Sequence, residues 1–61
     1  MKYQVFTRTP GNRPRRAAVM LTLEGAREFC TARNKERSAR QVRDGFHYEF
    51  TTVEYYNAAW G

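Results

Sequence analysis

A chain of 61 residues with one cysteine and one histidine must fold without covalent or metal cross-links. One Cys cannot form an internal disulfide, and one Cys with one His cannot complete a four-ligand zinc site. In a chain this short, burial of apolar surface only just outweighs the conformational entropy that folding removes. The aromatic content of 15% nevertheless favours folding, because disordered chains are poor in aromatic residues. We therefore expect a single domain over residues 1–61 with no cofactor, stabilised by close packing or by a partner.

The distribution of β-branched, aromatic and turn residues predicts three strands. The segments 2–8 and 16–21 flank a Pro- and Gly-containing turn at residues 10–14, which indicates a hairpin. A helix beginning near Arg15 is the alternative to the second of these strands. The segment 46–51 alternates aromatic and polar residues and predicts the third strand.

Capping signals predict two helices. Thr22 is a good N-cap for a helix over residues 23–34, and Asn34 could end that helix in left-handed geometry. The polar segment 35–45 could hold a ragged helical turn. The residues 51–54 match a capping box and predict a short C-terminal helix, with an extension of the preceding strand as the alternative.

This order of elements predicts an α+β fold with a three-stranded antiparallel sheet in the order 2-1-3. One helix covers one sheet face, a short C-terminal helix follows, and the other sheet face stays open. Alternation along the strands places Val5 on the covered face, together with Ala17, Val19 and Leu21. Phe6 then lies on the open face, where it could support self-association.

The chain has too few residues of the types that act in catalysis to indicate an enzyme. Cys30 falls on the apolar face of the predicted helix beside Phe29, as expected for a small buried side chain rather than a nucleophile. His47 points outward between Phe46 and Tyr48, as a solvated strand histidine does. No glycine-rich phosphate loop is present. We therefore expect no catalytic residues.

Basic residues are the strongest functional signal in the chain. The net charge is +5, and nine of the eleven cationic residues are arginine, which forms planar, bidentate contacts with phosphate and carboxylate. The predicted nucleic-acid or anion-binding residues are Arg13, Arg15, Arg16, Arg33, Lys35, Arg37, Arg40 and Arg43. The fold decides whether the arginines near the hairpin turn lie close to the cations at the end of the helix and beyond it. Solubility alone is the simpler explanation for these charges.

Aromatic residues provide a second, protein-binding hypothesis. Phe46, Tyr48 and Phe50 are expected in the core. The C-terminal helix carries more large rings than one short helix can bury, and Tyr and Trp dominate protein interfaces. The predicted protein-interface residues are Phe6, Tyr55, Tyr56 and Trp60.

The segments 22–30 and 45–50, with Asn34 between them, resemble small uncharacterised proteins of phages and other mobile elements. The resemblance covers about half of the chain and carries no catalytic residue. It implies a compact protein that binds and redirects a host complex, as anti-CRISPR and other anti-defence proteins do. Many such inhibitors are acidic mimics of DNA, a mechanism from which this basic chain departs.

These observations lead to two hypotheses. The first is a non-enzymatic binding protein that acts on a host nucleoprotein or nucleic acid through its arginine patch. The second is a protein–protein inhibitor or adaptor that uses the C-terminal aromatic residues and the open sheet face. In both, the protein acts in the cytoplasm without contacting a membrane and could form a homodimer.

Overall fold

The sheet is antiparallel and three-stranded, with the first strand at its centre. A computed structural model describes all residues from Met1 to Gly61. Its elements are β1 (Tyr3–Arg8), β2 (Arg15–Met20), α1 (Leu23–Lys35), α2 (Ala39–Arg43), β3 (His47–Thr52) and α3 (Val53–Trp60). The strand order β2-β1-β3 confirms the predicted α+β fold, including the short C-terminal helix. None of the helices combines the length and hydropathy needed to cross a bilayer.

The first core lies between the sheet and α1. Val5, at the centre of β1, packs with Ala26 and Cys30 of α1, and all three are buried. Small residues at positions 26 and 30 let the helix approach the sheet closely. Thr22 caps α1 as predicted, because its hydroxyl accepts the backbone N–H of Gly25. Leu23, at the start of α1, lies outside this core and is 45% exposed.

The inward-facing residues of β2 differ from the prediction. Ala18 and Met20 pack against the first core, whereas Val19 and Leu21 are 53% and 73% exposed. The register explains the difference, because Ala18 lies opposite Val5 and therefore shares its face of the sheet. A β-bulge leaves Ala17 unpaired and shifts the alternation by one residue. Arg15 therefore faces the same side of the sheet as Ala18, and Arg16 faces the other side. The predicted inward set Ala17, Val19 and Leu21 is therefore wrong.

The second sheet face is covered, which corrects the prediction of an open face. α3 reverses direction after β3 and packs across this face, so that Phe6 and Tyr56 are only 2% and 3% exposed. The ring of Phe6 lies 5.1 Å from that of Tyr56 and 5.4 Å from that of Trp60. Thr52 caps α3 by accepting the backbone N–H of Tyr55. Phe6 therefore forms a second core rather than a surface for self-association.

The C-terminal end of α1 covers the start of the outer edge of β3. Asn34 does not end the helix in left-handed geometry, since α1 continues to Lys35 and no residue other than glycine has a positive φ. Its amide instead donates to the Tyr48 carbonyl at 3.2 Å and accepts the Tyr48 backbone N–H at 2.8 Å. Arg37 donates to the Phe46 carbonyl at 2.9 Å. These contacts occupy backbone groups of Tyr48 in β3 and of Phe46 just before that strand, which would otherwise be free at the edge.

Candidate nucleic-acid interface

The topology gathers most of the basic residues at one end of the molecule. Arg8 at the end of β1 lies opposite His47 at the start of β3, so the hairpin tip and the start of β3 share this end. The contacts of Asn34 bring the end of α1 to the same place. A Cβ added to Gly45, just after α2, would lie 3.0 Å from Pro10, so α2 ends against the hairpin turn. We call this end of the sheet, with the segments that meet there, the basic end.

The basic end carries nearly all of the excess charge. Nine of the eleven Lys and Arg residues and three of the six acidic residues lie there, for a local charge of +6. The rest of the chain holds two cations against three acids, for a charge of −1. The cations of the basic end are Arg8, Arg13, Arg15, Arg16, Arg33, Lys35, Arg37, Arg40 and Arg43. The two predicted groups therefore meet.

The three hairpin arginines do not form one patch at the tip. Arg16 faces α3: its guanidinium donates to Gln4 Oε1 at 3.1 Å and Asn57 Oδ1 at 2.9 Å, and it lies 4.8 Å from the centre of the Tyr56 ring. Arg13 donates to the Trp60 carbonyl at 3.3 Å. Arg15 lies opposite Thr7, which shares a sheet face with Val5, and is exposed without a hydrogen bond or ion pair. Arg15 alone of the three is fully free for a partner.

The cations that follow α1 also divide into structural and free residues. Arg37 is half-buried, and its Nε donates to the Asn34 carbonyl at 2.8 Å in addition to its contact with the Phe46 carbonyl. Arg33 lies over the Phe29 ring at 5.1 Å and Arg40 forms a weak surface pair with Asp44 at 3.9 Å, so both keep donors for a ligand. Lys35 and Arg43 are exposed and have no acidic partner.

Three of the four predicted aromatic interface residues are partly or fully buried. Phe6 and Tyr56 belong to the second core, and Trp60 is half-buried against them. Tyr55 is 63% exposed, in the first turn of α3, away from the basic end. Trp60 packs under the guanidinium of Arg8, which lies 5.6 Å from the ring centre. These four residues therefore do not form one continuous aromatic surface.

His47 belongs to a charged cluster on the α3 side of the sheet. Its Nδ1 faces the Gly45 carbonyl at 2.9 Å and its Nε2 contacts the Glu49 carboxylate, which also pairs with Arg8 at 3.9 Å. The hydrogen bond to the Gly45 carbonyl, followed by that to Glu49, raises the pKa of His47 above its ordinary value. The cluster ties β1 to β3 through side chains.

Cys30 is a buried thiol in the first core. Burial, with a smaller effect from the charge of Glu49, raises the pKa of Cys30 above its ordinary value. The thiolate form that a nucleophile requires is therefore disfavoured.

A pocket of about 440 Å³ opens between the hairpin turn and the start of β3. Its lining residues are Thr7, Thr9, Asn12, Arg13, Pro14, Arg15 and Phe46, and we call it the hairpin pocket. The arginines of this pocket are among the predicted anion-binding residues, whereas its hydroxyl groups and Phe46 are not. The sequence contains a signal for the hydroxyl groups, because Thr7 and Thr9 are two residues apart just before the turn. In an extended strand, this spacing puts both side chains on one face. The position of Phe46, assigned to the core, depends on how the loop before β3 meets the hairpin.

Comparison of the chain with protein-family models, curated proteins and solved structures finds no match. Function must therefore be inferred from the chemistry of this chain. The basic end offers guanidinium, ammonium, hydroxyl and amide donors, a combination suited to phosphate groups.

Proposed function

We propose that this protein is a non-enzymatic binding protein that contacts nucleic acid, free or within a host nucleoprotein, through its basic end. The observation that carries the proposal is the local charge of +6, which several unpaired cations present at one end of the molecule. Following the resemblance to proteins of mobile elements, we place this activity in the cytoplasm of a phage host.

The arrangement of the free cations supports phosphate binding over mere solubility. Charges that serve solubility are expected on all sides of a protein, whereas those of this chain are separated into a basic end and a slightly acidic remainder. Five cations remain available after structural contacts are taken into account. They are Arg15, Arg33, Lys35, Arg40 and Arg43.

The proposal predicts strongly salt-dependent binding. If these five cations neutralise about five phosphates of a duplex, the logarithm of the binding constant falls with the logarithm of salt concentration at a slope of about −4.5. Raising salt from about 50 to about 200 mM then weakens binding by roughly 500-fold. Titrations of a DNA duplex, single-stranded DNA and RNA at both concentrations measure this dependence.

A pair of charge variants tests which end of the molecule binds. Replacing Lys35 and Arg43 with Gln removes two unpaired cations and should reduce the duplex slope to about −2.7. Replacing Lys2 and Arg27 with Gln removes the same charge from the opposite end and should leave the slope near −4.5. All four side chains are exposed, so neither variant should disturb the cores.

Equal effects of the two double variants would show that net charge, rather than the basic end, attracts the nucleic acid. Absent or salt-insensitive binding to all three nucleic acids would exclude the proposal. A protein partner contacted by the exposed ring of Tyr55 would then be the hypothesis to pursue.

A further inference from the structure

We propose that the hairpin pocket binds one phosphate of a nucleic-acid strand together with an adjoining unpaired base. This inference rests on the proposed function and makes it more specific, because it predicts a preference for single-stranded over duplex nucleic acid. The proposal follows from the donors that line the pocket, the rigidity of its frame and the position of one aromatic ring.

The polar lining of the pocket favours an anion. Two guanidinium groups, two hydroxyl groups and one side-chain amide line it, and no carboxylate does. Arg15 is exposed and makes no other polar contact, so its donors are free for a ligand. Arg13 uses one Nη donor on the Trp60 carbonyl and keeps its others. Arg15 is therefore the main donor that the pocket offers to a phosphate, and the remaining donors of Arg13 add to it.

The frame of the pocket is constrained before any ligand arrives. Pro10 and Pro14 restrict the backbone on either side of the turn, and the backbone N–H of Asn12 donates to the Thr9 carbonyl at 3.0 Å. Gly11 adopts a φ of 84°, which other residues rarely tolerate. A constrained loop loses less conformational entropy when it binds, so the donors are partly preorganised.

Phe46 gives the pocket an aromatic wall beside these donors. The ring is half-buried and meets Tyr48 nearly at a right angle, with the ring centres 5.5 Å apart. It is the only aromatic residue of the lining. Stacking of bases on an aromatic ring beside a basic groove is typical of proteins that bind single strands. A base inside a duplex is already stacked on its neighbours, so it cannot occupy this position without leaving the helix.

The test compares a 12-nucleotide single-stranded DNA, an RNA of the same length and the corresponding DNA duplex. We expect Phe46→Leu to weaken binding of the single strands roughly tenfold while leaving duplex affinity and its salt slope unchanged. Phe46→Tyr retains a ring and should restore single-strand binding. Tyr55→Leu, which removes an exposed ring far from the pocket, is the matched control and should have no effect on either ligand.

A second variant tests the pocket independently, in case Phe46→Leu does not fold. Arg15 has no structural contact, so Arg15→Gln should retain the wild-type melting temperature. In NMR titrations with inorganic phosphate, the wild type should show shifts at Thr7, Thr9 and Asn12 that Arg15→Gln reduces.

The outcomes separate this inference from the proposed function. Salt-dependent binding that Phe46→Leu leaves unchanged, or weakens equally for single strands and duplex, would overturn the pocket proposal and leave the proposed function standing. Failure of all three nucleic acids to bind at low salt would overturn both. Loss of binding in Tyr55→Leu equal to that in Phe46→Leu would also contradict the pocket assignment.

Discussion

At the scale of single residues, arginine has two roles in this protein. The guanidinium groups of Arg16 and Arg37 donate hydrogen bonds to amide and carbonyl oxygens within the fold. The side chain of Arg15 is free at the surface. The difference arises because Arg16 lies on the α3 side of the hairpin and Arg15 on the α1 side. A triple replacement of Arg13, Arg15 and Arg16 would therefore disturb α3 as well as any binding surface.

His47 makes stability depend on pH. Both ring nitrogens face acceptors, the Gly45 carbonyl and the Glu49 carboxylate, so only the protonated ring donates to both, although Arg8 opposes its charge. A pKa raised in the folded state adds stability that is fully present below the unfolded value of about 6.5 and is lost as pH rises through the folded value. We expect His47→Gln to lower the melting temperature more at about pH 6 than at about pH 9. An equal loss at both pH values would contradict a protonated His47.

At the scale of secondary-structure elements, the two edges of the sheet differ. Asn34 pairs with the Tyr48 backbone at the outer edge of β3, and Arg37 donates to the Phe46 carbonyl just before that strand. No comparable contact covers the outer edge of β2. A second copy of β2 could pair antiparallel about the centre between Ala17 and Ala18. That pairing would place Arg16 opposite Val19 of the second copy and keep like charges apart. The homodimer stays a prediction, and the β2 edge, rather than a sheet face, is where we expect it to form.

Substitutions at Val19 test this edge. Val19→Lys should weaken self-association, because lysine would lie opposite Arg16 of the second copy, and Val19→Glu should strengthen it. Val19 is half exposed, so neither change should affect folding greatly. Sedimentation velocity at micromolar and submicromolar concentrations measures the effect. A wild type that stays monomeric throughout that range, or identical behaviour of both variants, would exclude the β2 dimer.

At the scale of the whole molecule, α3 supplies the second core that a short chain needs. Without it, Phe6 and one face of a three-stranded sheet would be exposed to water. The rings of Phe6, Tyr56 and Trp60 contact one another in this core, and the guanidinium of Arg16 covers the Tyr56 ring. The packing of α3 also carries Trp60 to the basic end, where Arg13 and Arg8 contact it. Folding and the shape of the proposed binding surface are therefore coupled.

Two tyrosines on the same helix provide a direct test. Tyr56→Ala should destabilise the protein by about 3–5 kcal/mol, the usual cost of removing a buried aromatic side chain. In a domain this small, that loss is comparable to the whole free energy of unfolding. Tyr55→Ala removes an exposed ring and should change stability by less than about 0.5 kcal/mol. Urea unfolding followed by Trp60 fluorescence measures both, and similar losses in the two variants would contradict the second core.

The sequence by itself determined the local features of this protein. Periodicity and capping predicted the three strands, the N-cap at Thr22 and the burial of Cys30, because these depend on neighbouring residues. The short connection between β1 and β2, with a helix before β3, also led to the correct strand order. The positions of the basic residues in the chain identified candidates for binding. They did not show which of these side chains make contacts within the fold and which remain free for a partner.

Only the tertiary structure decided the features that depend on distant contacts. The bulge at Ala17 set the inward residues of β2, since alternation alone cannot reveal an unpaired residue. The contact between Arg16 and Asn57 joins residues 41 positions apart and helps hold α3 over Phe6. The meeting of Gly45 with Pro10 brought Phe46 to the hairpin pocket. Each depends on register and side-chain packing between segments, which local sequence patterns do not encode.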